Sequence, residues 1–285
     1  MFRQNYPLRV TFDSHVWQLV VRPDKHSKDK NHRDLLKMND ALRKGSLAGF
    51  ISETVGTLEG ISKGRRSDYF GSLKPIVDVK TEVVGDAISV QVAIRPDDGK
   101  HPGLVPVLTE RLQEAGALGI RFLSAERLGM PRPSFFSGSN LYAQDSNDSE
   151  VYGRLERLGR VLEAIEARGV GSAAIKRIGE RIHQRIKKQW IPRAGISRPP
   201  DSFQFWMLGH AKGQEIEAVA KAVAEWADGD SIASHVAVGN DCFCSEDQGK
   251  TAKSSSILDS ANRAWLEAAY QVKFVTVPEL AALLT

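Results

Sequence analysis

The run Leu8-Arg9-Val10-Thr11-Phe12 alternates apolar and polar side chains, the period of a strand, and stops on an acid, Asp13. An apolar strand that delivers a carboxylate at its carboxyl end is what an open α/β sheet uses to build a site. The same patterning returns at the other end of the chain. Asp241-Cys242-Phe243-Cys244-Ser245 and Val272 to Val277 read as strands, and Ser260 to Tyr270 as a helix. Pro278 then opens a terminal helix at a position that tolerates proline. The expected class is therefore α/β.

Between these blocks the pattern changes. After Asp13, a helix is expected around Asp34 to Arg43, then a second apolar run, Leu47-Ala48-Gly49-Phe50-Ile51. Ser52 is a good N-cap for a helix over Glu53 to Ile61. Ile76 to Lys80 and Ala87 to Ile94 pair as strands around Gly85-Asp86, Leu104 to Ala115 is a helix, and Ile120 to Leu123 a strand. Met130 to Asp148 is rich in Pro, Ser, Gly and Asn and reads as a loop. Helices follow over Glu150 to Ala167 and Ser172 to Gln189, then a connector, Ile191 to Pro200. Two further helices are expected, Gln214 to Trp226 and one starting at Gly229-Asp230-Ser231.

Composition narrows the function classes. Of 285 residues, 41% are hydrophobic and 26% charged, enough for a sizeable core. The net charge of +4 and pI near 9.0 permit a polyanionic partner. Cys242 and Cys244, one residue apart, are poorly placed to pair and imply no disulfide framework, so a reducing, cytoplasmic setting is expected. Buried free thiols on a core strand suit them better than a zinc site. No apolar h-region opens the chain, and no apolar run nears the ~20 residues of a membrane span, so no membrane partner is expected. A Gly-x-Ser-x-Gly elbow is missing, and Gly60 to Arg66 fails the phosphate-loop spacing.

Acids stand where such a sheet places chemistry: Asp13, Glu53 and Glu59 after the second apolar run, Asp230 at an expected helix start, Asp241 before a strand and Asp247 after it. Carboxylates that converge repel one another, and a divalent cation relieves that repulsion. Hydrolysis of a phosphodiester needs the same ion to neutralise the phosphate and activate water. Capping and solvation account for single acids equally well. On Ser172–Gln189, Arg177, Arg181, Arg185 and Lys188 recur at helical spacing, a face suited to a nucleic-acid backbone, and Arg65 and Arg66 could act similarly.

These motifs together resemble the PIN domain of metal-dependent ribonucleases. The match runs through Val10-Thr11-Phe12-Asp13, Ser52-Glu53 to Glu59, Gly229-Asp230-Ser231-Ile232-Ala233, and Ser245-Glu246-Asp247, with Asp230 and Asp247 17 residues apart. It covers roughly 8–62 and 213–285. The resemblance implies a PIN-like α/β fold of three layers, α/β/α, around a central, mostly parallel sheet, split into halves 1–62 and 213–285, with 63–212 as an inserted α+β lobe bearing basic helices. It implies catalytic Asp13, Glu59, Asp230 and Asp247, and a Mg2+ or Mn2+ ion held by these with Glu53 and Asp241. An RNA substrate follows, and the resemblance also admits a homo-oligomer or an inhibitory protein partner, as in a toxin–antitoxin pair. The family often has Asn where this chain has His15. A non-catalytic RNA-binding or scaffolding protein on the same fold is the alternative. A haloacid-dehalogenase-type phosphatase would want Asp, not His15, two residues after Asp13.

Overall fold

The computed structural model describes residues 6–84, 87–96, 105–124, 148–190, 200–247, 249 and 256–284. The loop expected from Met130 up to 147, the connector at 191–199 and the turn at Gly85-Asp86 lie outside these residues.

In chain order, strand β1 (Leu8–Phe12) leads to helices α1 (Val16–Val21) and α2 (His32–Lys44), then β2 (Leu47–Ser52) and the short α3 (Glu53–Gly56). Next come α4 (Arg66–Gly71), the hairpin β3 (Pro75–Val84) and β4 (Ala87–Pro96), α5 (Pro106–Ala117) and β5 (Arg121–Leu123). Helices α6 (Asp148–Ala167), α7 (Ser172–Gln189) and α8 (Gln214–Val238) follow. The chain closes with β6 (Cys242–Cys244), α9 (Ser260–Tyr270), β7 (Phe274–Val275) and α10 (Val277–Leu283).

Five of these strands form one sheet in the order β5-β2-β1-β6-β7, and every pairing is parallel. All five therefore end at the same edge. The alternation of side chains along β6 divides the core in two. Cys242 and Cys244 join a cluster with Val10, Phe12, Trp17, Met38 and Leu280, built from β1, α1, α2 and α10. Phe243, between them, joins Ile165, Ile232, Ala233 and Leu266 from α6, α8 and α9. Helices thus cover both faces, the three-layer α/β/α arrangement, as an all-parallel sheet requires. Both cysteines are free and buried.

Close packing on the first face depends on Gly49. A Cβ there would stand 2.8 Å from the Phe12 ring, 3.0 Å from Leu42 and 3.1 Å from Ile120. On the other face a polar network is sealed between β1 and α8. The Thr11 hydroxyl accepts from Asn240 Nδ2 at 2.8 Å and lies 2.9 Å from His235 Nδ1. Burial lowers the His235 pKa to about 4, so the ring is neutral there.

The chain divides into two compact units. One contains the sheet and comprises Met1–Gly60, Leu104–Ala174 and Ala222–Thr285. Leu104–Ala174, which the sequence assigns to an inserted lobe, instead brings β5 into the sheet, where it pairs with β2. The other unit is Ile61–Gly103 with Ile175–Lys221. Its hairpin β3–β4 is antiparallel, from Pro75 opposite Pro96 to Val84 opposite Ala87. Phe205 stacks on Phe70 there, with ring centroids 6.3 Å apart.

Two expected elements differ. The helix over Glu53–Ile61 is only Glu53–Gly56, followed by turns. Thr54, Gly56, Thr57 and Gly60 all disfavour helix continuation, so the Ser52 cap starts a helix that the sequence cannot extend. Conversely, the expected helices at Gln214–Trp226 and from Gly229 onward are one helix, α8. A single glycine costs only about 1 kcal/mol in a helix interior, less than the packing of its flanks returns. Asp230 is therefore not at a helix start but deep within α8.

Candidate functional site

The site lies at the carboxyl edge of the sheet. Asp13 follows β1 and is 5% exposed. Its Oδ2 accepts from the Ser245 hydroxyl at 2.6 Å, and its Oδ1 from the Ser14 backbone N–H at 2.5 Å. Ser245 follows β6, in register with β1, and its Oγ accepts from the Asp247 N–H at 3.1 Å. One hydroxyl thus ties Asp13 to the turn that carries Asp247. That turn is closed by the Gly249 N–H, which donates to Asp247 Oδ1 at 2.8 Å.

Asp228 on α8 completes the group. Burial raises the Asp13 pKa, opposed by the hydrogen bonds from Ser245 and Ser14, and the Asp247 charge raises it further. Desolvation pushes the Asp228 carboxyl well up, and the charges of Asp13, Glu59, Glu225 and Asp247 add to the effect in that order. The charges of Asp13, Glu59 and Asp247, which come from distant parts of the chain, thus all act on Asp228, and that of Asp247 acts on Asp13. Glu225 has a structural role, since its Oε1 accepts from the N–H of Gly171 at 3.1 Å and of Ile257 at 2.8 Å.

One cation stands beside this group. Arg263 on α9 donates through Nε to the Leu258 carbonyl at 2.9 Å and through Nη2 to the Asp247 carbonyl. Its guanidinium lies 4.5 Å from the Phe274 ring centroid. Burial lowers its pKa, and the charges of Asp13 and Asp247 oppose that shift. Two backbone acceptors and a ring below fix the charge in place.

Of the acids expected from sequence, Asp13, Glu59 and Asp247 join this group, and Asp230 does not. Asp230 is 2% exposed, and both its carboxylate oxygens are engaged, by Thr54 Oγ1 at 2.6 Å and Trp226 Nε1 at 3.1 Å. It fastens α8 to α3. Residues two apart on a helix differ by about 200° in direction, so Asp228 and Asp230 face opposite ways. Glu53 is buried directly after β2, at the same edge of the sheet as Asp13. Asp241 precedes β6, at the opposite edge, where it is exposed and its Oδ2 accepts from the Arg9 N–H at 2.8 Å. Sequence reasoning misses Asp228, although a signal exists. Val219, Val223, Trp226, Asp230, Ala233 and Ala237 recur at three- and four-residue spacing, which sets Asp230 in line with buried apolar side chains, while Asp228, half-buried, falls on another line of a helix buried over most of its circumference there.

The basic residues divide similarly. Arg66 is 3% exposed and donates to the carbonyls of Ile61 at 3.2 Å and Ala220 at 2.7 Å, a structural arginine. Arg185 grips Glu215 with two bonds, at 3.0 and 2.8 Å. Arg65 is exposed, 3.9 Å from Asp68. Arg177, Arg181 and Lys188 are exposed on α7.

The acids whose charges act on Asp13 and Asp228 offer only oxygen, the donor type that hard divalent cations take. Among the described residues, no group of three or more His, Cys, Asp or Glu side chains is placed so that it could hold a metal ion. No helix among them is long and apolar enough to cross a membrane. No protein-family model matches the chain, and neither the curated proteins nor the solved structures contain a significant match.

Proposed function

We propose that this chain is a metal-dependent phosphodiester hydrolase acting on RNA, on a PIN-like α/β fold. The observation that carries the reading is the tie of Asp13 to the Asp247 turn through Ser245 at the carboxyl edge of a parallel sheet, with the charges of Asp13, Glu59 and Asp247 acting on Asp228. Folding does not gather carboxylates without cost, so the raised pKa values of Asp13 and Asp228 beside other acids mark a candidate functional edge. Asp13 and Asp228 would hold a Mg2+ or Mn2+ ion, with Glu59 and Asp247 beside them. When bound, such an ion supplies charge neutralisation on the phosphate and activation of water.

The rest is done by the chain itself. Ser245 fixes the Asp13 carboxylate by holding Oδ2, and links its position to the Asp247 turn. Asp247 is exposed and lies where substrate can reach. The Arg263 guanidinium, held by two carbonyls, places permanent positive charge next to Asp13 and Asp247, where a phosphoryl oxygen would need it. Burial takes the Asp13 carboxylate out of water and strengthens the interactions made there.

The test is cleavage of a panel of RNA oligonucleotides in Mg2+ or Mn2+. Asp13→Asn and Asp228→Asn are each expected to lower the rate about a hundredfold or more, the several kcal/mol that charge stabilisation by such a site contributes. Asp230→Asn should stay within a few-fold of the parent. Full activity in both Asp13→Asn and Asp228→Asn would reject the assignment.

A further inference from the structure

We propose that the exposed stripe Arg177, Arg181, Gln184 and Lys188 of α7 is a binding surface for the sugar-phosphate backbone of a single nucleic-acid strand. It stands on observations independent of the carboxylate site. α7 carries six cations, Lys176, Arg177, Arg181, Arg185, Lys187 and Lys188, against one acid, Glu180. These cations are not spread evenly around the helix. Arg177, Arg181, Gln184 and Lys188 recur at spacings of four, three and four and so fall on one line, and all four are exposed. From Arg177 to Lys188 that line runs ~16 Å along the axis. A groove of about 500 Å³ lies along it, lined by Glu180, Arg181, Gln184, Arg185, Lys188 and Gln189.

The opposite side of α7 is anchored, so the stripe is presented rigidly. Ile175, Gly179, Ile182 and His183 are buried. The Phe203 ring sits on Gly179 so closely that a Cβ there would meet it at 2.2 Å. His183 Nε2 is 2.9 Å from the Pro200 carbonyl. Arg185, held by Glu215, also donates to the His210 carbonyl at 2.7 Å, which pins the helix. Glu180 is the one acid in the groove. A line of guanidinium, amide and ammonium donors at helical pitch, with no exposed apolar side chain interleaved, matches a flexible polyanion. An anionic bilayer would call for apolar side chains on the same face to enter it, and Ile178 and Ile186 are half-buried rather than exposed.

The experiment is fluorescence anisotropy of a labelled 20-nucleotide single-stranded RNA, and of the DNA of the same sequence, titrated with the full chain in EDTA over a range of salt. Arg177→Gln, Arg181→Gln and Lys188→Gln are combined in one variant. A control variant removes three exposed cations elsewhere, Lys25→Gln, Lys28→Gln and Lys30→Gln. The stripe variant should bind at least tenfold more weakly, and its slope of log affinity against log salt should be shallower by about 2, the loss of three contacts at ~0.7 each. The control variant should keep most of the parent's affinity. Equal losses in both variants, unchanged affinity in the stripe variant, or tighter binding to anionic vesicles than to either strand would overturn the proposal. Because EDTA removes any divalent cation, the outcome is independent of whether the carboxylate site cleaves RNA.

Discussion

Two aspartates two positions apart on α8 have opposite roles. Asp230 is engaged by Thr54 and Trp226, while Asp228 faces the charges of Asp13 and Glu59. Their removal should therefore have opposite effects on the metal-free protein. A carboxyl whose pKa is raised by folding stabilises most while protonated, at pH below its unfolded value near 3.9, and that contribution is lost as pH rises through the folded pKa. Above that point Asp228 is a desolvated charge among like charges, so Asp228→Asn should raise Tm in EDTA at pH 8, with the difference shrinking toward pH 4. Asp230→Ala should lower stability by about 1–3 kcal/mol, because it strands a buried hydroxyl and an indole N–H. Thermal melts of both variants across that pH range check the pair, and an Asp228→Asn protein less stable than the parent at pH 8 would contradict it. Gly49 offers a separate test of packing. Gly49→Ala must push into Phe12, Leu42 and Ile120, and should cost about 1–3 kcal/mol in chemical denaturation.

At the scale of elements, β1, β2 and β6 are legible because period-two alternation and apolar runs are local signals, and Asp13 and Asp247 come with them. Helices α6 and α7 are legible from helical spacing. The departures arise where a single glycine, or a string of weak helix formers, takes its meaning from tertiary packing. Gly229 reads as a break in the sequence, yet apolar residues on both sides of it bury one continuous stripe of α8. Glu53–Ile61 follows a good cap, yet its threonines and glycines let the helix run for one turn only. Asp228 is hidden by the first of these, since a helix beginning at Gly229 has no side chain at 228 to orient. The contact between β1 and α8 has no local signal at all, because Thr11 and His235 are distant in the chain. That contact predicts a pH effect. His235 is held neutral with a pKa of about 4, so its share of stability is complete above the unfolded value near 6.5 and is lost as pH falls from there toward 4. The share is up to about 3 kcal/mol. His235→Gln should flatten the stability profile over that window, as measured by urea denaturation at successive pH values.

The molecule as a whole joins a carboxylate-bearing parallel sheet in one unit to a basic helix, α7, that lies almost entirely in the other. Parallel pairing of β1 with β6 brings Asp13 to the Asp247 turn, and no local pattern specifies that meeting. The assembly of β5 with β2 is equally hidden, since Arg121-Phe122-Leu123 reads as a strand but does not name its neighbour. The central claim is that Asp13 and Asp228, with Glu59 and Asp247, act as one divalent-cation site. Calorimetric titration of Mn2+ into the parent chain, Asp13→Asn, Asp228→Asn and Asp230→Asn tests it most directly. Saturable binding is expected in the parent and in Asp230→Asn, weakened at least tenfold in Asp13→Asn and Asp228→Asn. A parent that binds no Mn2+, or an Asp228→Asn variant that binds as the parent does, would contradict it.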